Sequence, residues 1–107
     1  MLGKLTHELV TRCCPISHQQ EIIDLLSQQC SYNLPGIGRT PEWAELVDRV
    51  QLAAIRGSDW NLDKIKASVS MANVDWRDLL VGAGFGTSLS AHQVWQQRAI
   101  ESHDVSK

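Results

Sequence analysis

The sequence predicts an all-α protein, a compact bundle of five to six short helices with no β-sheet. Three observations predict it. Apolar residues recur at spacings of three and four along most of the chain. Capping residues stand ahead of these runs, and glycine or proline stands behind them. No segment alternates apolar and polar residues with the β-branched enrichment of a strand. The 107 residues fit one domain over 1–101. Within it, 40–100 is the expected core unit and 1–33 an arm that packs on it or pairs with another copy. Residues 102–107 are expected to fray.

The first helix is expected over 2–13, where Leu2, Leu5, Leu9, Val10 and Cys13 share a face. Pro15 forces Cys14 out of the helical region and ends it. Ser17 and Gln20 have the spacing of a capping box, so a second helix is expected over 18–30, with Ile22, Ile23, Leu26 and Cys30 on one stripe. Residues 31–39 contain Pro35-Gly36 and Gly38 and read as a loop, the natural place for a hinge. Thr40-Pro41 starts a third helix, which Gly57 closes. Its expected buried stripe is Trp43, Leu46, Val47, Val50 and Ala54. Asp48, Arg49 and Arg56 are expected outside.

Asp59 or Asn61 caps a fourth helix that buries Leu62, Ile65, Val69 and Ala72. Asp75 caps a fifth, with Trp76, Leu79, Leu80 and Ala83 inward. Gly84 and Phe85 then have the order of a Schellman close on Leu80. Ser90 caps the last helix, Gln93 completes its capping box, and Leu89 with Val94 has the spacing of a hydrophobic staple. Ala91, Val94 and Trp95 are expected in the core. Residues 42–47 and 75–80 share an acid-Trp-x-acid-Leu-apolar pattern. The helix between them has no counterpart, so the echo does not make a repeat.

Composition excludes several classes of function. The net charge is −2, from 10 Lys and Arg against 12 Asp and Glu, so there is no basic excess for phosphate. The best helix-turn-helix candidate would read through Lys64 and Lys66. Residues 39–77 nevertheless balance six basic against six acidic side chains. No stretch is apolar enough for a membrane span or a secretory leader, so the expected address is cytoplasmic. Three cysteines, two of them adjacent, do not make a disulfide framework and fit reduced thiols.

No motif carries a specific chemistry. His7, Cys13, Cys14, His18 and Cys30 gather in the first 30 residues, but without zinc-ligand spacing. Cys14 with His18 is the best nucleophile-base pair on offer, with no identifiable oxyanion donor or orienting acid. Gly82-Ala83-Gly84-Phe85-Gly86 follows a helix rather than a strand, so it is a helix end and not a phosphate loop. Carboxylate pairs such as Glu42/Glu45 lie in first helical turns, where capping and the helix dipole account for them.

No catalytic, metal or cofactor residue is therefore expected. The reading that remains is a non-catalytic protein-interaction module, pairing with itself or with another protein. The alternatives are a small DNA-binding protein and, behind it, a thiol or metal enzyme. Trp60 lies among Ser58, Asp59 and Asn61 at a helix junction and is the expected contact tryptophan. Leu5, Leu9, Ile22 and Leu26 on the first two helices are the expected partner stripe.

Overall fold

A computed structural model describes residues 1–86 and 90–105. It contains five helices: α1 (Lys4–Cys13), α2 (Ile16–Gln29), α3 (Ala44–Ile55), α4 (Leu62–Gly82) and α5 (Ala91–Val105). A single 3-10 turn, Pro41–Trp43, leads into α3. No strand occurs among the described residues. The radius of gyration is 12.7 Å, as expected for one domain of this length.

The hub is α3, which packs against α1, α4 and α5, while α2 closes the gap between α1 and α4. Eight of its residues are buried, from Val47 to Ile55, and two of them are polar. Asp48 was expected outside but is 6 % exposed. Its carboxylate acts as the cap that α1 lacks. Gly3 precedes α1 without a side chain to offer. Asp48 accepts instead from the N–H groups of Leu5 and Thr6, both at 2.9 Å, and from the Thr6 hydroxyl. These amides belong to the orphan donors of a helix start, and an anion there also meets the positive end of the dipole. Gln51, one turn on and fully buried, accepts from Gly3 N–H at 2.7 Å. Its amide donates to the carbonyls of Met1 and Cys30. One side chain of α3 thus ties down the start of α1 and the end of α2.

Of the two arrangements expected for residues 1–33, the structure shows the one in which the first two helices pack on the core unit. Residues 1–30 are built into the core rather than appended to it. In the 31–39 loop, Leu34 is 2 % exposed and Ile37 is 8 % exposed. The Trp76 indole donates to Pro35 O at 2.7 Å, and Asn33 donates to Gln29 O and Asn73 Oδ1. These bonds strap the loop to α4 and to the end of α2.

Cap assignments divide. Ser17 does not cap α2, because the helix already begins at Ile16 behind Pro15. Thr40 stands before the 3-10 turn, but its hydroxyl reaches Glu42 rather than a backbone amide. Asn61 does cap α4, accepting from Lys64 N–H at 3.0 Å. The expected fourth and fifth helices run together as α4, kinked at Asp75, whose backbone is extended (φ −156°, ψ 96°). Asp75 accepts from Arg77 N–H at 3.0 Å, so it restarts the helix as a cap would. The Schellman close stands. Gly84 has φ 81°, its N–H donates to Val81 O, and Phe85 N–H donates to Leu80 O at 2.8 Å. Glycine takes this left-handed position without steric cost.

The last helix buries a different face from the expected one. His92, Gln96 and Ile100 are buried, Ala91 and Trp95 are half-buried, and Val94 is 47 % exposed. Its expected staple partner, Leu89, lies outside the described residues. The helix also continues to Val105, past the point where the apolar pattern fades.

Candidate functional site

The site begins with the way α3 ends. Arg56 (φ −57°, ψ 126°) and Gly57 (φ 78°) form the centre of a type II turn, closed by Ser58 N–H donating to Ile55 O at 3.0 Å. The second central residue of that turn must have positive φ, and Gly57 supplies it. A second turn follows at once. Asn61 N–H donates to Ser58 O at 2.9 Å, and both residues between are left-handed, Asp59 at φ 52° and Trp60 at φ 60°. Two positive φ values at the centre mark the primed form of the type I turn, which favours Asp-Gly or Asn-Gly.

Trp60 stands where that glycine would be. Left-handed backbone costs an ordinary L-residue about 1–2 kcal/mol. The buried Ser58 side chain helps to hold the strained pair, its hydroxyl oxygen accepting from Trp60 N–H at 3.2 Å. Non-glycine residues kept in this region against their preference concentrate at binding and active sites.

The turn forms one wall of a cleft of about 370 Å³. Leu9, Cys13, Ile55 and Ala99 give it an apolar lining, and Trp60 and Trp95 add two aromatic faces. Asp59, Ser102 and His103 add polar groups. Asp59 is exposed and makes no ion pair among the described residues. Trp95 is held by groups that follow α3 and α4. Its ring lies 5.8 Å from Phe85, and the Arg56 guanidinium sits over both rings while donating to Ala83 O at 2.6 Å. Polar groups supply the larger part of the cleft's open surface, with the aromatic and aliphatic side chains beneath and beside them.

Of the residues expected to contact a partner, Trp60 is half-buried at this cleft. Leu5 is half-buried on the opposite end of α1 and lines two other grooves. Leu9 is 1 % exposed, and Ile22 and Leu26 are 0 % exposed. These three belong to the chain's own core, and truncating one would cost about 2–5 kcal/mol. They are not available as a partner stripe. Trp95, Asp59 and His103 were missed as site residues. The adjacent Asp59-Trp60 pair gave a signal only through its neighbours, because Asp-Trp is not a turn dipeptide.

Two of the three thiols, Cys14 and Cys30, are held toward the protonated form. Burial pushes the Cys30 thiol up to about 12, and burial together with neighbouring Cys13 raises Cys14. A reactive cysteine needs the opposite shift. Among the described residues no three His, Cys, Asp or Glu side chains come together in a way that could hold a metal ion. No family model, no curated protein and no solved structure matches the chain.

Proposed function

We propose that this chain is a non-catalytic binding module of the cytoplasm, and that a protein partner docks in the Trp60 cleft by inserting a Lys or Arg side chain. The observation that carries the reading is the placement of a tryptophan in a left-handed turn position at the edge of an aromatic-walled cleft. Tryptophan is the residue most enriched at interface hot spots. A lysine or arginine stem is aliphatic and suits Leu9, Ile55 and Ala99, while its head would meet the rings and the Asp59 carboxylate. Absence of any disulfide among the described residues supports a reducing compartment. No helix among the described residues is long and apolar enough to cross a membrane.

The test is an NMR titration with four peptides that differ only in a central Lys, Arg, Leu or Glu. The Lys and Arg peptides are expected to shift the amides of residues 57–60 and 95–103. Asp59→Asn and Trp60→Phe are expected to weaken both peptides. Equal shifts from the Glu peptide, or shifts confined to other surfaces, would overturn the reading.

A further inference from the structure

The outer side of α4 carries an apolar stripe that the rest of the chain does not cover. Helical spacing sets Lys64, Ala67, Met71 and Val74 on one face, away from the buried Ile65, Val69 and Ala72. All four are exposed, Met71 by 50 % and Val74 by 85 %. Asp75 and Asp78, at and just beyond the bend of the helix, are exposed as well. Asp75 gives one carboxylate oxygen to the Arg77 N–H, which leaves Asp78 as the uncommitted acid. Neither Lys64 nor Asp78 makes an ion pair among the described residues. None of these residues lines the Trp60 cleft.

Single exposed apolar side chains are common on protein surfaces and need no explanation. This stripe differs in its order. Lys64, Ala67, Met71, Val74 and Asp78 follow one another at the alternating three- and four-residue spacing of a coiled-coil seam. The order is also self-complementary. Turned end for end about Met71, the stripe sets Lys64 opposite Asp78 and the small Ala67 opposite the branched Val74. A parallel pairing would set lysine on lysine and aspartate on aspartate. We infer that α4 docks against α4 of a second copy of this chain, antiparallel, with the two-fold axis at Met71. Such an axis repeats every contact, so an ion pair closes each end of the apolar seam. An unrelated helix has no reason to carry this order in reverse, whereas a second copy always does. The seam is short, so the dimer is weak, with a Kd on the order of 0.1 mM.

Sedimentation of the full chain from about 10 µM to about 1 mM tests this. The unaltered chain is expected to pass from monomer to dimer across that range, and to need a higher concentration when salt is raised. Met71→Lys sets two like charges against each other on the axis and is expected to stay monomeric throughout. Its aliphatic stem still covers the half-exposed position, so the fold is retained. Lys64→Asp is expected to weaken the dimer roughly tenfold. Combining it with Asp78→Lys rebuilds both ion pairs and is expected to restore the affinity. The inference is overturned if the unaltered chain is monomeric at the highest concentration, or if Met71→Lys dimerises as the unaltered chain does. It is also overturned if the double exchange fails to recover what Lys64→Asp loses. The dilution series on the unaltered chain needs no variant to fold.

Discussion

Two residues concentrate unusual chemistry, and each makes a measurable claim. Gly57 has φ 78° with open space where a side chain would begin, so an alanine there suffers only the backbone cost. Gly57→Ala is expected to lose about 1–2 kcal/mol. For a domain of this size that lowers Tm by roughly 4–15 °C. An unchanged melt would mean that the turn is not held as described. His92 makes the second claim. Its folded value lies below its ordinary 6.5 because burial and Arg49 disfavour the imidazolium, so the unfolded chain binds the extra proton first. Stability contributed by the neutral ring is therefore present above about pH 6.5 and is lost as pH falls from there toward the folded value. Urea midpoints measured between pH 7.5 and 5 should fall, and His92→Leu should flatten that fall. A slope that survives the substitution would assign it to other groups.

Among the elements, α1 depends most on a residue from elsewhere. Its first turn has no cap of its own, and Asp48 of α3 provides both carboxylate oxygens. Asp48→Ala would leave the amides of Leu5 and Thr6 and the Thr6 hydroxyl without their acceptor. Bonds to charged groups are worth about 1.5–3 kcal/mol each, so a loss of about 3 kcal/mol or more is expected in urea denaturation. Asp48→Asn keeps one acceptor oxygen and should lose less. Equal losses in the two variants would show that packing, not capping, is being measured. The same dependence explains what the sequence could and could not reveal. The buried stripes of α1 and α4 follow local periodicity and were legible. Asp48 was assigned to the outside because its partners are more than 40 residues away in sequence. The face of α5 was misread because its core positions are held by His92 and Gln96, which look solvated. Gln96 satisfies its amide on Leu5 O, whereas His92 does not. Departures of this kind from local rules gather where a fold does something besides hold itself together. The Trp60 turn is another, since a glycine position filled by tryptophan has no propensity signal.

For the molecule as a whole, the issue is whether residues 1–33 can leave. Their apolar periodicity alone suits either a removable pairing arm or an integral layer, because a stripe does not state what it packs against. The long-range bonds favour the integral layer. Gln51 is fully buried and spends its amide on the carbonyls of Met1, Leu26 and Cys30. Asp48 is buried against α1. Removing residues 1–33 would expose the side of α3 that carries Val47 and Val50 and would leave both polar side chains without their partners. It would also remove Leu9, Val10, Ile22 and Leu26 from a core that has few large residues to spare. At about 1.5–3 kcal/mol of transfer free energy per buried side chain, those four alone are comparable with the entire stability of a domain. The fragment 34–107 is therefore expected not to fold. Its amide spectrum should collapse into the narrow range of an unfolded chain, and its urea titration should lack a cooperative transition. A dispersed spectrum with a sharp transition would restore the arm as a separable unit, and the Asp48 and Gln51 bonds would then be accessory to the fold rather than the ties that hold its first two helices.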